Sequence, residues 1–244
     1  MLEERTYHHP DLPRRLIVAA RAELAEKGVR GFSLRSVAAK SGVSRTAPYR
    51  HFPGKDGLLA TLMRQGFSEL TAALRNADEG ESGDDFAKLL AQGRAYIQFG
   101  RTSPEMLELI FSRGGFQALD AAGMDPTAFK GGDYDAFGVL ERRIAACQAA
   151  GSLQAESPSP VLAALVWTVV HGIAVLEREG ALSQAAMHVD ATGDSRAAAN
   201  ELAAANDPAA ANDPAAANEL AAANLDSSLL DAFALTFHRV GPRS

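Results

Sequence analysis

The chain is poor in the residues that most often carry chemistry or covalent cross-links. In 244 residues it has one cysteine, Cys147, one tryptophan, Trp167, and six histidines. A single cysteine excludes any intrachain disulfide and suits a reducing compartment. Cys147 lies in the apolar run 139–149 and reads as a small core residue, with redox sensing as the alternative. No GxGxxG, GxSxG or lysine-terminated phosphate loop is present, nor any Ser-His-Asp or paired-carboxylate arrangement, so catalysis is not expected. No cluster of His, Cys or carboxylates stands at metal-ligand spacing, and no cofactor is expected. The longest apolar run, 161–176, falls short of the ~18 residues that span a bilayer and contains His171. The opening MLEERTYHHP lacks the basic-then-apolar layout of a signal peptide. A soluble, cytoplasmic protein with no membrane partner is the expectation. No alternating pattern of strand length appears either, which leaves an all-α fold.

What is present is unevenly distributed. The net charge of -6 divides into +5 for residues 1–60 and -11 for the remainder. A basic head attracts phosphates, and an acidic body is repelled by them.

The head contains the most informative segment, FSLRSVAAKSGVSRTAPYRHFPGKDGLL, from Phe32 to Leu59. Ser33 precedes a helical pattern in which Leu34, Val37 and Ala38 share a face, and its hydroxyl can cap that helix. Ser41-Gly42-Val43 ends it: Gly42 permits a sharp turn and Val43 plugs the angle between helices. Ser44 can cap a second, very short helix carrying Arg45, Thr46, Ala47, Pro48, Tyr49, Arg50, His51 and Phe52. Pro48 forces that helix to begin only a few residues earlier. Upstream, Asp11 and Pro13 open a helix with Ile17, Ala20 and Leu24 on one face, stopped at Gly28; Phe32 and Phe52 are expected in the three-helix core. This layout is that of a helix-turn-helix followed by an anchoring helix, which presents a short helix to the major groove of DNA. Arg45 suits guanine edges, and the methyls of Thr46 or Ala47 suit thymine; Arg50 is a further candidate for sequence preference. Ser33, Ser44, Tyr49, His51 and Lys55 suit phosphates, and Arg35 lies on the exposed side of the first helix.

The segment 43–59 resembles the TetR family of transcriptional regulators, in which a tyrosine, a histidine-phenylalanine pair and a lysine opening the next helix recur in this order. Here these are Tyr49, His51, Phe52 and Lys55. Pro48 departs from the family's commonest pattern, which has an aliphatic residue there. The resemblance implies an all-α protein of about nine helices: a DNA-binding domain at 1–54, then an effector-binding and dimerisation domain at 55–244. It further implies a homodimer on a palindromic operator, its two recognition helices one DNA turn, ~34–36 Å, apart, and release by a small-molecule effector through coupled equilibria. An architectural DNA-binding protein without an effector is the competing reading, and a helical enzyme or carrier with a decayed head is a weaker one.

The body follows in helices. Residues 55 to about 76 form a long helix with Leu58, Leu59, Leu62, Phe67, Leu70 and Leu74 on one side, ended by an acid- and glycine-rich break at 78–84. Helices are expected at 86–101, from Pro104 to a stop at Gly114-Gly115, at 133–150, and at 161–179. The last is apolar nearly all round and needs cover on several sides, for which a second copy of itself is the natural candidate. A final helix at 225–240 completes the expected dimer contact. Residues 197–226 run as five hexapeptides of the AAANEL and AAANDP kind, whose period fits neither helix nor strand, within a low-complexity loop at 190–226.

Trp167, His171 and Gly172, in VWTVVHGIAVL, resemble the C-terminal Trp-His-Gly signature of one TetR subgroup. His171 reads either as a satisfied core or interface histidine or as a ring that bonds an inducer. Effector-lining candidates are Phe67, Tyr96, Phe99, Met106, Phe111, Phe116, Phe137 and Trp167, each of which also reads as plain core.

Overall fold

A computed structural model describes residues 11–124, 130–153 and 156–182. Among these there are eight α-helices and no strand. The hexapeptide tract and the helix expected at 225–240 lie outside the described residues.

The helices are α1 (Leu12–Gly31), α2 (Leu34–Lys40), α3 (Gly54–Gly80), α4 (Asp85–Thr102), α5 (Pro104–Phe111), α6 (Arg113–Ala121), α7 (Ala136–Ala149) and α8 (Ser159–Arg178). Among the described residues, single-turn 3-10 helices stand at Pro48–Arg50 and Gly132–Tyr134. The chain divides into two compact units, one from Met1–Glu69 and Ser103–Tyr134, the other from Leu70–Thr102 and Asp135–Ser244. Helix α3 runs through both, whereas the expected division by role falls at its start.

In the first unit, α1 packs on α2, α5 and α6. Its buried side is Leu16, Ala19, Ala20, Glu23 and Leu24, with Leu16 rather than Ile17 fully covered. Gly28, at φ 63, breaks the helix where expected, although a last turn continues to Gly31. Phe32 and Phe52 are both buried in the core, as are Leu58, Leu59, Leu62 and Met63 of α3. Each such leucine contributes roughly 1.5–3 kcal/mol by leaving water.

The expected stop at Gly114-Gly115 is corrected. Helix α5 ends at Phe111, and both glycines lie in the first turn of α6, whose N-cap Ser112 accepts the Gly115 N–H at 2.9 Å. The glycines serve close packing rather than termination. A Cβ at Gly115 would collide with the Leu109 carbonyl and come within 2.8 Å of Met63 Sδ, and one at Gly114 within 2.8 Å of Val29.

In the second unit α4, α7 and α8 pack on one another around Leu89, Leu140, Ile144, Cys147, Leu153, Leu162 and Ala163. Asp135 caps α7 by accepting the Gly138 N–H at 3.1 Å. Helix α3 reaches past Asp78, which sequence reading assigned to a break. Paired acids explain the extension: Arg143 donates to both Asp78 oxygens at 2.6 Å and also to Asp85, and the Gln92 amide donates to Asp78 at 2.8 Å.

Helix α8 is 20 residues long and passes the length and composition test for a membrane span, with mean hydropathy 1.9 in its most apolar window. The run counted from sequence was shorter because Ser159, Pro160 and the last turn extend it, so length alone gives no exclusion. Leu162, Ala163, Val170, Ile173 and Ala174 are buried, while Val161, Leu165 and Leu176 are exposed.

Candidate nucleic-acid interface

The turn between α2 and the next segment is built by backbone bonds. Gly42 N–H donates to Ala39 O and Val43 N–H to Ala38 O, both at 3.0 Å. This is the paired pattern that closes a helix through a left-handed residue, and Gly42 supplies it at φ 66. Val43 is half-buried in the angle.

The second helix of the motif differs from expectation. No α-helix forms between Ser44 and Phe52. Residues 45–47 make a turn and Pro48–Arg50 one 3-10 turn. An α-helix capped by Ser44 would begin with the residue 48 N–H bonding the Ser44 carbonyl, and proline has none. Ala47 N–H takes that carbonyl instead at 3.0 Å, and Arg50 and His51 continue the tighter spacing, bonding Ala47 O at 3.2 Å and Pro48 O at 3.0 Å. Pro48 and Phe52 are buried and anchor the segment.

That anchoring turns the remaining side chains outward. Arg45, Thr46, Arg50 and His51 are exposed, Tyr49 is 62% exposed, and Ala47 is half-buried. Arg35 on α2 and Ser44 are exposed as well. Ser33 takes the N-cap position of α2 with extended backbone, yet its hydroxyl accepts no helix N–H. The Ser44 hydroxyl likewise caps nothing and lies 3.2 Å from that of Thr46. Asp11 stands at the N-cap of α1 without a side-chain cap bond. Lys55 is half-buried; its ammonium donates to the Val29 carbonyl at 3.3 Å and lies 5.9 Å from the Phe32 ring centroid. It therefore joins the third helix to the end of the first as well as adding charge.

One feature of this head escaped sequence reading. Glu23, only 2% exposed, accepts the Ser36 hydroxyl at 2.6 Å and pairs with Lys40 at 3.5 Å, tying α2 to α1. Lys40 also bonds Glu26, which raises its pKa and, together with Lys27, holds the Glu26 carboxyl down at about 2. A glutamate on the apolar side of α1 was the available signal.

The effector candidates fall in both units. Phe67, Met106 and Phe111 belong to the first, where the Phe67 and Phe111 rings meet edge-on at 6.3 Å. Phe116 lies in the same unit and is 43% exposed. Tyr96, Phe99, Phe137, Trp167 and His171 belong to the second. Trp167 there stands 5.1 Å from Tyr96 and 5.7 Å from Phe137, centroid to centroid. The Tyr96 hydroxyl and His171 Nδ1 share a hydrogen bond of 2.9 Å. Burial drives the Tyr96 phenol well above its ordinary range, so it stays protonated and able to donate. Burial, and then Arg178, lower the His171 pKa below 6.5 and favour the neutral ring. Cys147 is fully buried in the same unit and burial pushes its thiol up to about 11, which suits a core residue rather than a redox sensor.

Comparison with known proteins adds the following. The model of bacterial regulatory proteins of the tetR family matches residues 16–62. A model of the tetracyclin repressor-like C-terminal domain matches residues 89–199. HTH-type transcriptional regulators of Mycobacterium tuberculosis and Mycobacterium bovis are 26% identical over 98 residues, 40% of this chain and 42% of theirs. The match thus spans under half the length of these curated relatives. A solved protein of unknown function from Rhodococcus sp. RHA1 is 26% identical, with TM-score 0.62, over 97% of this chain and 100% of that one. A tetR-family regulatory protein from the same organism has the same fold, with TM-score 0.53 at 21% identity over 67% of this chain and 83% of that one.

Proposed function

The chain belongs to the tetR family of bacterial regulatory proteins, and on that premise we propose that it is a ligand-responsive repressor that binds a palindromic operator as a homodimer in the cytoplasm. The relatives it matches are transcriptional regulators, not enzymes. The observation that carries the reading is the recognition segment: Pro48 and Phe52 hold it down while Arg45, Thr46, Tyr49, Arg50 and His51 face solvent. Arg45 and Thr46, with Ala47 and Arg50 beside them, read bases; Ser33, Arg35, Ser44, Tyr49, His51 and Lys55 meet the backbone.

Support for dimerisation comes from α8. Val161, Leu165 and Leu176 are exposed, and among the described residues a Cβ at Gly172 would meet nothing within 4 Å, leaving room for an approaching backbone. The segment 225–240, which lies outside the described residues, is proposed to join the same contact. The Tyr96, Phe137, Trp167 and His171 cluster is the proposed effector wall, and Trp167-His171-Gly172 the proposed subgroup mark. The continuous α3 supports a lever through which the effector alters operator affinity.

A gel-shift with duplex flanking the protein's own coding region tests this. Affinity should fall by about 10³–10⁵ between about 50 and 200 mM salt if roughly 6–10 phosphates are neutralised. No retarded species at low salt, with that duplex or with fragments selected from genomic DNA, contradicts it.

A further inference from the structure

We propose that the cleft between the first turns of α1 and the end of α2 is a second DNA-backbone site, in which Arg14 and Arg15 hold a phosphate beyond those under the recognition segment. The inference rests on the DNA-binding reading above and adds two residues of α1 to it.

The cleft has a volume of about 540 Å³ and is lined by Asp11, Arg14, Arg15, Val18, Lys40 and Ser41 among others. Both arginines are exposed. Arg15 Nη2 donates to the Ser41 carbonyl at 2.6 Å and lies 3.9 Å from where a Gly42 Cβ would be. Its guanidinium is thus held against the turn that leads directly to Ser44 and Arg45. A guanidinium has five N–H donors in a planar fork, so one bond to a carbonyl leaves the charge and further donors for an anion.

The neighbouring charges favour the same assignment. Lys40 is engaged by Glu26 and Glu23 and walls the cleft. Two arginines then face one lining carboxylate, Asp11. Ser41, 5% exposed, lines the cleft and keeps a hydroxyl without a partner among the described residues. A duplex phosphate is the occupant that fits. The cleft adjoins the proposed base-reading segment along the chain, and residues 1–60 carry a net +5. Fixed arginine forks match phosphate oxygens, and such contacts set register without reading sequence.

The test is the salt dependence of binding by the intact protein, on the flanking-region duplex and a scrambled one of equal length. Each phosphate contact contributes about 0.9 to the slope of log K against log salt. The Arg14→Ala/Arg15→Ala double variant, which removes this phosphate contact, should reduce that slope by about 0.9, and Arg14→Ala, which leaves Arg15 in the cleft, by a measurable part of that. The ratio between the two duplexes should stay unchanged. Arg14→Ala leaves the Arg15–Ser41 bond in place, so it answers for a double variant that folds poorly. Lys27→Ala/Arg30→Ala removes the same charge at the other end of α1 and should leave the slope near wild type. Wild-type slopes in the arginine variants, or an equal loss in the Lys27 and Arg30 control, overturn the proposal. A wild-type protein that binds neither duplex overturns the DNA-binding reading itself, which is a separate result.

Discussion

At the scale of the residue, the exposed side chains of the recognition segment divide by chemistry. Arg45 can span the N7 and O6 acceptors of a guanine with two N–H groups, whereas a hydroxyl or phenol can only make single contacts. Replacing Arg45 by alanine should cost about 1–3 kcal/mol at one base pair and relax preference there. Competition between cognate and scrambled duplex measures this; a variant that keeps the wild-type ratio removes Arg45 from base reading. His171 supports a different experiment. Its folded pKa lies below 6.5, first through burial and then through Arg178. The unfolded chain therefore takes up this proton first as pH falls. The stability associated with the neutral ring is complete above about pH 6.5 and is lost as pH drops through the folded value. Thermal melts between about pH 8 and about pH 5 should fall more steeply for wild type than for His171→Asn, which does not titrate there. Parallel curves would show that this ring is not responsible.

At the scale of the element, what could be read in advance depended on whether the cause was local. Helices α2, α4 and α7 were legible because their apolar spacing is a local signal, although the Ser33 hydroxyl makes no cap bond and the Asp135 cap of α7 was not anticipated. The recognition segment was legible as a motif, and Pro48 marked it as short, but its 3-10 form depends on which N–H takes the Ser44 carbonyl. Helix α6 was missed because Gly114 and Gly115 signal a stop locally, while their actual role is set by Val29, Leu109 and Met63, distant in sequence. The end of α3 was missed for the same reason, since Asp78 is held by Arg143 and Gln92. Among the candidate site residues, the motif drew attention to Arg45, Thr46, Tyr49, Arg50 and His51, which are exposed. The structural duty of Lys55 toward Val29, and the buried Glu23 pairing, did not. Close packing at α6 makes a direct prediction. Gly115→Ala should destabilise by about 1–3 kcal/mol, because its Cβ needs space occupied by Leu109 backbone. Urea unfolding reads this, and a midpoint equal to wild type would mean that the α5–α6 junction yields freely.

At the scale of the whole molecule, the proposed repressor has a basic head and an acidic body and pairs with a second copy through α8. In the proposed dimer, pairing two heads would gain affinity from effective concentration, so a monomer should bind an operator roughly 10²–10⁴-fold more weakly. The exposed Leu165 offers a way to break the pair without touching the head. Sedimentation of the wild type and of Leu165→Glu, alone and with a palindromic duplex recovered from genomic fragments bound by the protein, tests the central claim most directly. A wild-type dimer that loads two protomers onto one duplex, and a folded Leu165→Glu monomer that has lost most of that affinity, are the expected outcome. A wild-type monomer, or a monomeric variant that binds the duplex as tightly as the wild type, would contradict it.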